Sequence, residues 1–161
     1  MGLAVATADD MHALGRRLAT WLQPGDLIIL NGELGSGKTQ LVQGIGQGLG
    51  VVGAIISPTF VLARLHRSPG GGPMLVHVDA YRLTSPAEVD DLDLDAYLPD
   101  AVTAVEWGRG LADHLSADRL DIDIARADDP ADDTRTVVIQ GFGQRWQGFD
   151  EAVLAGEAAD V

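Results

Sequence analysis

The segment "LNGELGSGKTQ", Leu30 to Gln40, sets the strongest limit on what this chain can fold into. Gly32, Gly37, Lys38 and Thr39 satisfy G-x-x-x-x-G-K-[ST], a loop whose glycines let successive backbone N–H groups turn inward as an anion nest. The helix that follows adds its positive N-terminus at the same point. Such a loop needs a buried strand before it and a helix after it. "DLIILNG", Asp26 to Gly32, is a short apolar run ending in turn residues, and a helix is expected from Lys38 to about Leu49, with Gly50 just beyond it. Lys38 is the only lysine in the chain, and every other Lys or Arg position is arginine. A compact ammonium there reaches the β- and γ-phosphates of a nucleotide, and the Thr39 hydroxyl ligates Mg²⁺.

The surrounding sequence reads as one α/β domain. Thr7 followed by Asp10 is a variant capping box, and Met11, Leu14, Leu18, Trp21 and Leu22 recur at helical spacing up to Pro24 and Gly25. "AIISPTFVLARLHR" and "PMLVHVDAYRL" flank "SPGGGP" and predict two antiparallel strands. "SPAEVDDLDLDAYL" predicts an acidic helix, "AVTAVEWG" a buried strand, "RGLADHL" a helix, and "RLDIDIA" and "TRTVVIQGF" two closing strands. The expected fold is a three-layer α/β P-loop NTPase-like domain over residues 1–146, with a mixed parallel and antiparallel sheet. Residues 147–161 are expected to be a tail, a short helix or a frayed end. The helix after the loop carries Gly44, Gly46 and Gly48, each costing up to about 1 kcal/mol relative to alanine. Their two-residue spacing spreads them round the helix and suggests close packing for some.

Composition narrows the function. The 161 residues contain no cysteine, so disulfides and thiolate metal sites are excluded. There is no positively charged segment ahead of an apolar block at the N-terminus and no run long enough to span a membrane, so the expected location is the cytoplasm. A formal charge of −13 argues against direct, unaided binding of nucleic acid. No second lysine exists to build an N-K-x-D guanine reader, which favours ATP over GTP. Asp91, Asp93 and Asp95 mimic the start of a calcium loop, but Ala96 stands where glycine is required. The four histidines show no zinc spacing.

P-loop enzymes also need acids at strand ends to hold Mg²⁺ and orient the nucleophile. Asp79 ends "MLVHVD" and Glu106 ends "AVTAVE", so both are expected at the sheet edge where α/β folds place ligands. Either could instead cap a helix or pair with a cation. Thr59 in "SPTF" follows the P-loop helix, where switch proteins place a threonine that senses the γ-phosphate, although strand packing explains a threonine there almost as well. Arg82 and Arg109 stand near the two acids and are candidates to neutralise transition-state charge, with surface solvation as the plainer reading of each.

Taken in order, "GELGSGKT", "SPTF", "HVDAYR" and "VEWG" resemble the TsaE (YjeE) family of small bacterial P-loop ATPases, and the similarity runs from about Thr7 to Gly141. The resemblance implies ATP hydrolysis in the formation of threonylcarbamoyladenosine next to the tRNA anticodon. It also implies TsaD and TsaB proteins as partners, with tRNA reached only through that complex. By position it gives Thr39 and Glu106 as Mg²⁺ ligands, Lys38 as the phosphate grip and Asp79 as support for hydrolysis. Thr59 would lie near the γ-phosphate and the segment at Thr7 near the base. ATP contacts are expected from Glu33, Gly35, Ser36, Gly37, Lys38, Thr39, Gln40 and Arg109. Glu33 and Gln40 depart from the aspartate and second threonine that many relatives carry, and Gly108 from a common proline. Two other readings stand beside this one: a small-molecule P-loop kinase, and a non-catalytic nucleotide-gated binding module.

Overall fold

The computed structural model describes residues 2–56 and 63–155. Seven strands form one sheet: β1 (Leu3–Val5), β2 (Leu27–Asn31), β3 (Ala63–His66), β4 (Met74–Asp79), β5 (Ala101–Glu106), β6 (Arg119–Arg126) and β7 (Arg135–Phe142). Their spatial order is β1-β7-β6-β2-β5-β4-β3. The middle four strands, β6, β2, β5 and β4, run parallel, and the flanks are antiparallel: β7 on β6, β1 on β7, and β3 on β4. Every residue of β5 is buried, as are Leu27–Leu30 of β2, because these strands are covered on both faces. The mixed three-layer architecture expected from sequence is the one observed.

One face is covered by α1 (Ala8–Ala19) and α2 (Lys38–Leu49). Thr7 caps α1, its Oγ1 accepting the Asp10 N–H at 3.1 Å. Gly50 closes α2 in the left-handed region at φ +75°. The three glycines of α2 divide their work between two neighbours. A Cβ on Gly44 would lie 2.2 Å from the His12 carbonyl oxygen, and one on Gly48 would lie 2.5 Å from Ala19 Cβ. From the other side, a Cβ on Gly15 would meet the Leu41 carbonyl oxygen at 2.5 Å. Gly15, Gly44 and Gly48 therefore form a seam along which the two helix backbones touch. Gly46 turns the other way, where Ile55 and Leu75 occupy the space of a side chain.

The opposite face is thinner than the sequence suggests. The acidic segment forms only α3 (Pro86–Asp90), followed by 3-10 turns at Leu94–Ala96 and Leu98–Asp100. Asp93 stands at φ +56°, a conformation aspartate tolerates but a helix does not, and Pro99 prevents recovery of α-helical bonding. Four aspartates within six residues add like-charge repulsion to any continuous helix. "RGLADHL" likewise yields a single 3-10 turn, Asp113–Leu115. Val89, Leu94 and Ala112 nonetheless seal this face against Val76, Val78 and Val105. The short strand β1 was not anticipated; three residues on an edge leave little periodic signal.

Beyond Trp146 the described residues make one further 3-10 turn, Glu151–Leu154, laid on the α1 side. Trp146 and Leu154 are buried there, and Arg17 Nε donates to the Leu154 carbonyl oxygen at 2.8 Å. Packing thus continues past residue 146.

Gly44→Ala should destabilise the protein by about 1–3 kcal/mol in chemical denaturation, although alanine gains about 1 kcal/mol of helix propensity, because its methyl group would strike backbone rather than a movable side chain. Gly70→Ala, in a turn where a Cβ meets nothing within 4 Å, should leave the midpoint unchanged.

Candidate functional site

The site is built at the C-terminal ends of three adjacent parallel strands, β2, β5 and β4. Parallel pairing sets Leu30 of β2 opposite Glu106 of β5, and Glu106 opposite Asp79 of β4. The chain leaving β2 enters the P-loop at this level. Gly35 and Gly37 adopt φ +75° and +111°, open to glycine at no steric cost, and Ser36 N–H closes the turn on the Glu33 carbonyl oxygen at 3.0 Å. Gly32 admits no side chain, since a Cβ would lie 2.5 Å from Ser36 Oγ and 2.7 Å from the Ile124 carbonyl oxygen.

Lys38, the first residue of α2, is buried and points back over the loop. Its Nζ donates to the carbonyl oxygens of Gly32 at 2.5 Å and Glu33 at 3.0 Å, and sits 4.3 Å from the centre of the Trp107 ring. Burial lowers the Lys38 pKa below its ordinary value of 10.5, while the negative fields of Glu106 and Asp79 pull it back up. Both acids are buried. Asp79 Oδ1 accepts the Tyr81 N–H at 2.9 Å, and Glu106 Oε2 meets His77 Nε2 at 2.6 Å.

Trp107 follows Glu106 in the left-handed region at φ +61°, a strained conformation for a bulky residue. Its N–H donates to the Leu30 carbonyl oxygen at 2.8 Å, and its ring lies 5.1 Å from that of Tyr81. The strain turns the chain sharply at the end of β5 and lays the indole beside the lysine.

Two cavities adjoin across the loop and share Gly35, Gly37 and Gln40. The first, of about 420 Å³, is lined by Lys38, Thr39, Asp79, Arg82 and Glu106 among others. The second, of about 300 Å³, is lined by Thr7, Met11, Ser36, Asp133 and Arg135. Arg135 Nε donates to the Ser36 carbonyl oxygen at 3.2 Å and Nη2 to that of Gly35 at 3.4 Å, tying the loop to the far edge of the sheet.

Most of the residues singled out by sequence therefore converge. Gly35, Gly37, Lys38, Thr39, Gln40, Asp79 and Glu106 line the first cavity, and Thr7 and Ser36 the second. Glu33 takes part through its backbone, with its side chain exposed. Arg109 does not join them: its guanidinium donates to Asp123 at 2.6 Å, and that bond raises its pKa. The nearby arginine that does line the first cavity is Arg82. Thr59 lies outside the described residues. Sequence reasoning missed Arg135, which is distant in sequence from the loop it holds, and Trp107, whose backbone strain leaves no compositional trace. It also missed the pairing of His77, which shares the β4 face with Asp79 by the two-residue period of a strand.

The donor set suits a magnesium nucleotide. The N-terminus of α2 has no side-chain cap and no acid in its first turn, so its N–H groups and dipole are left to an anion. Among the described residues no cluster of three or more acid, histidine or cysteine side chains forms a metal cage. A hydroxyl and one or two carboxylates beside a phosphate cradle is the set from which Mg²⁺ is bound together with phosphates.

A family model described as "Threonylcarbamoyl adenosine biosynthesis protein TsaE" matches residues 5–137. The chain belongs to the TsaE family. It is 57% identical to a "tRNA threonylcarbamoyladenosine biosynthesis protein TsaE" of Streptomyces coelicolor, over 91% of this chain and 100% of that one. A protein of the same name from Bacillus subtilis is 34% identical over 86% of this chain and 84% of its own length. Among solved structures, the crystal structure of Bacillus subtilis YdiB superposes with a TM-score of 0.73 at 28% identity, covering 91% of this chain and 88% of that one. The TsaE family model spans both cavities, from the Thr7 side to Arg135.

The lowered Lys38 pKa has a measurable sign. The protonated amine is the form that attracts phosphate, so nucleotide affinity should fall as pH rises, beginning below the 10.5 of an ordinary lysine. Calorimetric titration with ADP from neutral to alkaline pH should show this fall, and Lys38→Met, weak throughout, should lack it.

Proposed function

We propose that this chain is a Mg²⁺-dependent ATPase serving threonylcarbamoyladenosine modification of tRNA in the cytoplasm, in company with TsaD and TsaB proteins. The observation that carries the reading is the convergence of Lys38, Asp79 and Glu106 on one cavity at the mouth of the P-loop. The family supplies the pathway, through the names of relatives that share most of this chain's length.

In this reading the P-loop N–H groups and Lys38 hold the phosphates of ATP, and the cavity beside Thr7 and Arg135 takes the base. Thr39 and Glu106 would hold Mg²⁺, which would supply positive charge against the phosphates. Asp79 orients the attacking water in line with the γ-phosphate and accepts its proton while the bond from the γ-phosphorus to the bridging oxygen breaks and ADP leaves, and Arg82 presents positive charge on the same side. Lys38 exchanges the neutral Gly32 and Glu33 carbonyl oxygens for anionic phosphate oxygens, a stronger bond because both partners are then charged. The acidic surface, −13 overall, leaves contact with tRNA to the partners.

ATP turnover should be slow for the chain alone, rise when TsaD, TsaB and tRNA are added, and vanish in Lys38→Ala. Asp79→Asn should still bind ATP while losing roughly 10²–10⁴-fold in turnover. A fully active Asp79→Asn would remove hydrolysis from the role assigned to that carboxylate. Fast turnover by the chain alone would argue against dependence on partners.

A further inference from the structure

The magnesium-holding role given to Glu106 leaves one buried group unexplained. His77 has no solvent exposure and sits in the middle of β4, on the face that its neighbour Leu75 gives to the hydrophobic core. Across the pairing with β5 its partner is Ala104, whose side chain is a single methyl group. One ring nitrogen, Nε2, lies 2.6 Å from Glu106 Oε2, and the other, Nδ1, is buried with no hydrogen-bond partner.

Packing alone does not account for this arrangement. A leucine would fill the position without an orphaned polar atom, whose burial costs on the order of 1–3 kcal/mol. The pattern instead fixes the ring. A carboxylate only accepts, so the proton belongs on Nε2. The orphaned Nδ1 is then a bare lone pair, cheaper to bury than an unpaired N–H.

We infer that His77 is a positioning residue for the metal site: Nε2–H holds Glu106 Oε2 and aims the remaining oxygen, Oε1, at the magnesium shell in the cavity. The inference rests on the magnesium-nucleotide reading above and deepens it. Outer partners that orient a ligand in this way are worth about 10–100-fold in metal affinity. His77 itself touches neither metal nor nucleotide. Its effect is therefore expected in the Mg²⁺ requirement and not in nucleotide binding without metal.

The test uses the full chain and three proteins: wild type, His77→Leu and His77→Gln, whose amide nitrogen can stand in for Nε2. Binding of a non-hydrolysable ATP analogue is followed by calorimetry, first with EDTA and then across a Mg²⁺ series. The expected result is equal affinity in EDTA for all three. The Mg²⁺ concentration for half-maximal enhancement should rise about 10–100-fold in His77→Leu and return to within a few-fold of wild type in His77→Gln. An unshifted Mg²⁺ requirement in His77→Leu, with wild type responding normally, overturns the inference alone. Equal loss in EDTA and in Mg²⁺ for both variants assigns His77 a merely structural role and also overturns it. A wild type indifferent to Mg²⁺ removes the parent reading together with this one. Should His77→Leu not fold, ¹⁵N spectra of the wild-type histidine decide: a proton on Nε2 with Nδ1 bare is required, and a proton on Nδ1 is incompatible.

Discussion

The pairing of β5 between β2 and β4 is the constraint on which the site depends. It places the last residues of three parallel strands at one level, so Leu30 delivers the P-loop where Glu106 and Asp79 end. Neither acid is held by a loop of its own. Both inherit their position from backbone hydrogen bonds inside a sheet covered on both faces, which is why two buried carboxylates can face a buried ammonium with little freedom to relax. A slip of one residue in either strand would turn its acid to the opposite face, where Val78 and Val105 now pack.

The left-handed Trp107 belongs to the same scheme. A non-glycine residue at φ +61° costs on the order of 1–3 kcal/mol, and here that cost is offset by the hydrogen bond to Leu30 and by ring contacts with Tyr81 and Lys38. Strain, cation and aromatic pair thus occupy one corner of the cavity. Across the loop, Arg135 performs a corresponding task through backbone carbonyls, so the nest is braced from both sides.

Much of this was legible in the chain. The P-loop carries its own geometry in its glycines, and the apolar runs ending in Asp79 and Glu106 by themselves place both acids at strand ends. The acidic segment misled because the left-handed Asp93 that parts α3 from the 3-10 turn at Leu94–Ala96 has no signature in the local composition. Arg109 misled because proximity in sequence to Glu106 says nothing of the turn between them, which delivers it to Asp123. Arg135 and the His77–Glu106 pair depend on contacts between segments far apart in the sequence, for which local pattern holds no signal.

The glycine seam between α1 and α2 reaches further than packing. A twelve-residue helix is marginal by itself, and three interior glycines weaken it by about another 3 kcal/mol relative to alanine. The helix whose N-terminus forms the phosphate nest therefore has little independent existence; it persists because α1 lies along it at backbone contact. Formation of the anion site and docking of the N-terminal helix become one cooperative event, and a nucleotide that stabilises the first also draws the second into the folded molecule.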